Sequence, residues 1–205
     1  GKKPAGPSLF DQINETEPEP SATPLAALPP AADGWKYDGY VLVDTAAAFA
    51  DFLTSLKEQK EFVFDLETTG LDPVGSDIVG YAFCWEPHTA YYLPVRAPAE
   101  DAKLDPDATL AELKPTFEDA RVGKRNHNIK FDRIVLAANG VTLAGVVGDS
   151  MIAHYLLEPG ARSHGLDDLT AAFLNHQNIK IAELIGKGKK QITMDQVRTA
   201  RVRDY

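Results

Sequence analysis

Two carboxylates spaced two apart, Asp65 and Glu67, stand in an otherwise apolar run, Phe62-Val63-Phe64-Asp65-Leu66-Glu67. Apolar residues at 62, 63, 64 and 66 predict a buried strand. Side chains on a strand alternate faces, so Leu66 enters the core and both acids leave side by side on one face. Adjacent anions repel, and beside a buried strand each also loses hydration. A cation between them relieves both effects. Hard divalent ions such as Mg²⁺ or Mn²⁺ favour oxygen donors of this kind. These residues therefore predict a metal site at the end of a central strand. A second pair, Asn128 and Asp132, is four apart on a predicted helix, so the two share one face, one turn from each other.

The elements that must position these groups are legible as punctuation and periodicity. Tyr37–Val43 reads as a first strand. Asp44 or Thr45 can cap a helix running to about Lys57, with Phe49, Phe52, Leu53 and Leu56 on one side. The acidic strand follows, then a turn at Gly70-Leu71-Asp72-Pro73. Asp77–Trp85 and Thr89–Val95 predict a hairpin, 96–108 a polar loop and Leu110–Phe117 a short helix. Asn128 opens a helix that Asn139-Gly140 ends. Further on come a short strand near Val141–Val147, helices over Asp149–Leu157 and Leu166–Leu174, and a basic loop over 180–192. Thr193-Met194-Asp195-Gln196 has a capping-box pattern that opens a last helix into Tyr205. The expectation is an α/β fold with one mixed sheet and helices packed on it.

Bulk properties narrow the class. The chain has 205 residues, enough for one domain with a core and a tail. A single cysteine, Cys84, excludes an internal disulfide, and no cysteine or histidine spacing suits structural zinc. No apolar run can span a membrane and the first residues are polar, so a cytoplasmic location is expected. The net charge of −9 argues against a general nucleic-acid binder. Part of that charge, however, lies in residues 1–33 and part in the candidate metal ligands, and bound cations can meet phosphate instead. Residues 1–35 hold seven of the 14 prolines and read as a linker. Within it Ser8-Leu9-Phe10 is an apolar island, either incidental or a docking motif. The initial Gly1 suggests a piece of a longer protein.

Asp65-Leu66-Glu67-Thr68-Thr69-Gly70 resembles the first motif of the DEDD superfamily of 3′→5′ exonucleases, and Asn128-Ile129-Lys130-Phe131-Asp132 its second. The run Gly123 to Gly140, with Gly148-Asp149-Ser150-Met151, His164-Gly165-Leu166-Asp167-Asp168-Leu169 and Gly186-Lys187-Gly188-Lys189, is similar to the proofreading domain of bacterial family A DNA polymerases. The resemblance covers roughly residues 36–205. It implies a ribonuclease H-like mixed β-sheet flanked by helices and a two-metal hydrolysis of DNA 3′ ends. It assigns Asp65 to both ions, Glu67 to the ion that activates water, and Asp132 to the second ion. Tyr205 occupies the tyrosine of the third motif, Y-x-x-x-D, and would orient the attacking water. The matching acid would fall four residues beyond Tyr205, so a domain truncated there, with weak or no activity, is expected. Thr68 and Leu71 would contact the terminal nucleotide, and Asn128 and Lys130 sugar or phosphate. The implied partners are a single-stranded 3′ end of DNA and the polymerase domain of a parent chain, with no membrane; no polymerase motif occurs in the chain itself.

Plainer readings stand beside these. Asp132 could be a helix-start charge favoured by the macrodipole. Asn128 could be an N-cap as well as a ligand contact. His127 reads as surface, His164 as structural and Asp149 as a helix cap. Lys187–Lys190 reads as a solvated loop or a DNA-facing one. In a different class altogether, the domain could be a non-catalytic scaffold or DNA-guiding module with the exonuclease shape.

Overall fold

Residues 37–205 are described in a computed structural model of the chain; the Pro-rich segment 1–35 and its apolar island lie outside them. In chain order the elements are β1 (Tyr40–Leu42), α1 (Ala46–Lys57), β2 (Glu61–Thr68), β3 (Ile78–Glu86), β4 (Thr89–Pro94), α2 (Pro106–Glu118) and β5 (Gly123–Asn126). These are followed by α3 (Ile129–Ala138), β6 (Val146–Asp149), α4 (Ser150–Leu157), α5 (Leu166–Leu174), α6 (Ile181–Ile185) and α7 (Thr199–Asp204). The strands form one mixed sheet in the order β1-β4-β3-β2-β5-β6. β3 runs antiparallel to β2 and β4, while β1–β4, β2–β5 and β5–β6 pair parallel. Among the described residues no helix is long and apolar enough to cross a membrane.

Strand β2 is one-sided. Phe62, Phe64 and Leu66 are buried, whereas Val63, on the face of the acids, is 43% exposed. The buried set meets Phe52 and Leu56 of α1, Leu113 and Phe117 of α2, and Val135 and Leu136 of α3. Phe117 sits at the centre of this core, its ring 5.1 Å from Phe64, 5.9 Å from Phe83 and 6.4 Å from Phe62. A smaller cluster gathers Val79 and Tyr92 with Leu184, Met194, Val197 and Val202, and it fixes α6 and α7.

Local chemistry sets the helix ends. Thr45 caps α1, its Oγ1 accepting the Ala48 N–H at 3.2 Å. Helix α2 starts earlier than its apolar pattern implied: Asp105 accepts the Ala108 N–H at 2.8 Å, and Pro106 fills the first helical position, where no N–H is needed. Strand β5 was not expected, because Gly123-Lys124-Arg125-Asn126 lacks an apolar pattern. It forms because the sheet flanks it on both sides with β2 and β6. Lys124 is fully buried there and its ammonium donates to the Asp119 carbonyl at 2.5 Å. Burial pushes its pKa down.

The C-terminal part also differs from expectation. The strand expected near 141–147 is β6, shifted to 146–149, and the basic loop contains α6. Thr193 makes no side-chain cap; a 3-10 turn at Met194–Gln196 intervenes, and α7 begins only at Thr199. The anchor of α7 is Asp101, whose Oδ2 accepts the Thr199 N–H at 2.7 Å while its Oδ1 pairs with Arg198 at 2.6 Å.

Truncating the central ring should cost a large-to-small core penalty. Phe117→Ala is expected to lower stability by about 3–5 kcal/mol, read as a lowered urea midpoint. A loss below about 1 kcal/mol would show that this ring is not the centre of the packing.

Candidate active site

Strand alternation brings the two acids of β2 out together. Leu66, between them, is buried, while Asp65 and Glu67 line a cleft of about 1190 Å³. Their partners across the ladder are small: Asp65 is opposite Ala82, and Glu67 is opposite Gly80. A Cβ at Gly80 would meet the Tyr92 hydroxyl at 2.5 Å, so glycine lets that ring lie beside Glu67. Burial, and then the Glu67 charge, push the Tyr92 phenol up.

Asp132 arrives from α3. Its Oδ1 accepts the backbone N–H of Leu66 at 3.0 Å, a buried bond between residues 66 apart. The first turn of α3 is thereby tied to the strand residue that separates the other two acids. The approach of α3 is set by Asp149 rather than by the side chain of Asn128. Asn128 sits at the N-cap with a left-handed backbone (φ 68°) and makes no side-chain cap. Asp149 accepts the N–H groups of Asn128 (3.2 Å) and Ile129 (2.8 Å), and also those of Met151 (2.9 Å) and Ile152 (3.1 Å) at the start of α4. One carboxylate thus caps two helices. Burial alone would raise its pKa, but the four donors outweigh that and hold it low.

The three acids share one electrostatic field. Burial is the largest cause in each case: Asp65 is pushed up to about 6, Glu67 to about 8 and Asp132 to about 8. Glu67 also feels Asp65 and Asp132, and Asp132 feels Asp65. Asp65 is solvent-accessible by surface area yet strongly desolvated. A carboxyl on the floor of a cleft meets both descriptions: water reaches it, but protein fills most of the volume around it. Among the described residues no three His, Cys, Asp or Glu side chains are arranged to hold an ion as they stand. The carboxyls are neighbours without being drawn into a cage, as like charges should be. The donor set nonetheless suits a hard divalent ion: it is all carboxyl oxygen, and its raised pKa values show that no nearby cation stabilises the ionised form.

Tyr205, after α7, lines the same cleft and is 42% exposed. Burial first, then Glu67, Asp65 and Asp167, push its phenol up to about 12. Asp132, buried beneath β2, and the other expected contacts lie outside the cleft lining. Thr68 donates to the Gly70 carbonyl at 2.7 Å, Leu71 is 90% exposed in the turn after β2, and Lys130 is exposed on the first turn of α3. His127, read from the sequence as surface, is half-buried in the cleft, with Nδ1 2.9 Å from Ser150 Oγ and burial pushing its pKa down. Arg125 and Arg203 also line the cleft, paired with Glu61 and Asp204. His164 meets His154 edge-on outside the cleft lining, its Nδ1 2.7 Å from that of His154. The Lys187–Lys190 turn is no part of the cleft.

A mixed six-stranded sheet flanked by helices, with two acids on a central strand and a third tied to it, places the chain in the ribonuclease H-like fold class. The EXO domain of Aedes aegypti Nibbler shares the fold, with a TM-score of 0.56 at 15% identity over 86% of each chain. A family model described as 3′-5′ exonuclease matches residues 40–199. The chain belongs to this 3′-5′ exonuclease family of DNA polymerase I. It is 34% identical to DNA polymerase I of Pseudomonas aeruginosa over 170 residues, 81% of this chain and 19% of that protein. It is 34% identical to DNA polymerase I of Chloroflexus aurantiacus over 200 residues, 97% of this chain and 19% of that protein. The chain thus spans about a fifth of the length of these relatives.

The raised carboxyl pKa values give a stability profile. A group whose folded pKa lies above its unfolded value supports the fold while protonated, and that support is lost as pH rises through the folded pKa. Without divalent cations, the melting temperature is expected to fall as pH rises from 5 to 9. Asp132→Asn keeps an acceptor for the Leu66 N–H and removes one charge. At pH 9 it is expected to melt at least ~2 °C above the parent, the shift that ~1 kcal/mol produces in a domain of this size. An unchanged or lower melting point would mean that Asp132 carries no uncompensated charge.

Proposed function

We propose that this chain hydrolyses the 3′-terminal nucleotide of DNA with two divalent cations, Mg²⁺ or Mn²⁺, held by Asp65, Glu67 and Asp132. The observation that carries this is the bond from Leu66 N–H to Asp132, which gathers three desolvated carboxyls around one strand residue. When bound, such cations supply Lewis-acid stabilisation of charge at phosphorus and lower the pKa of water.

The chain's own residues supply the rest. By resemblance to the family, Asp65 would contact both ions, Glu67 would hold one and Asp132 the other. Tyr205, with its phenol raised to about 12, stays protonated at neutral pH, so its hydroxyl orients the attacking water and does not act as a base. Because Arg125 and Arg203 are already paired with acids, cations rather than free basic side chains would meet the phosphate. Thr68, Leu71, Asn128 and Lys130 would reach a single-stranded 3′ end from outside the cleft. The polymerase I relatives support DNA as substrate and a polymerase domain as the partner in cis, with the work done in the cytoplasm.

The test is release of 3′-terminal nucleotides from single-stranded DNA in Mg²⁺, paired with Mn²⁺ binding followed calorimetrically. Asp65→Ala is expected to abolish Mn²⁺ binding and to lower any hydrolysis by on the order of 100-fold or more. Tyr205→Phe is expected to leave Mn²⁺ affinity unchanged and to slow turnover. Mn²⁺ binding that survives Asp65→Ala would sink the metal assignment. Metal binding without hydrolysis in any longer form of the chain would favour the non-catalytic scaffold.

A further inference from the structure

Asp149 closes β6, opposite Asn126 at the end of β5. Its two oxygens do different work. Oδ1 accepts the N–H groups of Met151 (2.9 Å) and Ile152 (3.1 Å), in the first turn of its own helix, and that of Asn128 (3.2 Å). Oδ2 accepts the Ile129 N–H at 2.8 Å, at the first position of α3. Capping α4 needs no more than Oδ1. The bonds to Asn128 and Ile129 reach back 21 and 20 residues, into the turn that delivers Asp132, and call for a separate explanation.

That turn is strained. Asn128 holds a left-handed backbone (φ 68°) with no side-chain cap bond to offset it. Asparagine tolerates this conformation better than most residues, but keeps it where its surroundings impose it. Asp149 imposes it by holding two successive amides. Beyond the turn, Ile129, Val135 and Leu136 settle which face of α3 meets the core. Apolar contacts are non-directional, however, and yield to small slides along a helix axis; hydrogen bonds are directional. Metal ligands tolerate displacements of only about 0.5 Å. Asp132, one turn on, is tied to β2 by the Leu66 N–H at 3.0 Å. The position of its main chain depends on where α3 starts, and that start is what Asp149 holds.

We propose that Asp149 is a positioning residue for the metal centre: through Oδ2 and the Ile129 N–H it fixes the start of α3, and with it the place from which Asp132 reaches the cation. This rests on the metal reading of the site. Asp149 borders the cleft, but both its oxygens are engaged by backbone donors, so it acts on the cation only through α3. The pairing of β6 with β5, which places Asp149, is thereby carried to an acid bound to β2, two strands away. Residues that support a metal ligand from behind are commonly worth 10–100-fold in metal affinity.

Asp149→Asn and Asp149→Ser test this selectively. Both residues are good N-caps, so α4 keeps its start and the fold is expected to survive. Asparagine keeps one oxygen for the donors on Oδ1 but sets an amide N–H against the Ile129 N–H; serine is one atom shorter and falls short of α3. Thr45→Ala is the control, since it removes the cap of α1, away from the cleft lining. All three variants are expected to melt about 2–4 °C below the parent without metal. Mn²⁺ affinity is measured by titration calorimetry at a temperature where every variant is folded. Both Asp149 variants are expected to bind about 10-fold more weakly, and Thr45→Ala as tightly as the parent. Unchanged affinity in the Asp149 variants would overturn the proposal. So would an equal loss in Thr45→Ala, because lowered stability would then account for it, and so would failure of both Asp149 variants to fold, because Asp149 would then serve the fold alone. Should the parent protein bind no Mn²⁺, or should Asp65→Ala bind it equally well, the metal reading itself fails. That result is distinct from a normal parent with indifferent Asp149 variants.

Discussion

Carboxyl groups kept close together on poorly hydrated ground are the constraint on which this domain's design depends. Water would separate and solvate Asp65, Glu67 and Asp132; the fold does neither. A strand cannot avoid presenting residues 65 and 67 on one face. The buried bond from Leu66 to Asp132 then brings the third acid beside them. The rest of the sheet can be understood as the framework that holds this unfavourable arrangement. The aromatic core under β2 stabilises the strand from one face, and small residues on β3 leave room on the other.

The framework works by few but well-placed contacts. Asp149 fixes α3 and α4 with a single side chain, so the helix that carries Asp132 and the helix that walls the cleft start from the same point. Asp101 does the same for α7 and hence for Tyr205, reaching across nearly a hundred residues to the Thr199 N–H. Both are acids that serve as hydrogen-bond acceptors for backbone N–H groups, and their pKa values are held low. Asp65, Glu67 and Asp132 have the opposite sign of shift, because burial outweighs the few donors they meet.

The centre of the fold was legible in the sequence. Period-two alternation around Asp65 and Glu67 gave β2 its faces, and Thr45 and Asn139-Gly140 marked helix ends that the structure has. What was not legible was decided by tertiary context. Lys124 and Arg125 hide a strand because the sheet, not their side chains, makes β5. Asp105-Pro106 was read as part of the polar loop 96–108; it is a cap followed by a proline that needs no N–H. Asp149 was visible as the cap of its own helix, but nothing local announces that it also caps α3. Asn126 was not singled out, and His127 was read as surface, because burial of a polar residue at or just after a strand end leaves no periodic signal.

The most direct measurement is a crystal structure of the protein soaked in Mn²⁺, with the ions located by anomalous scattering. The expected result is two peaks roughly 3.5–4 Å apart, one between Asp65 and Glu67 and the other between Asp65 and Asp132, with the three carboxyls drawn together around them. A cleft without anomalous density at those residues, or Mn²⁺ bound only elsewhere on the surface, would contradict it.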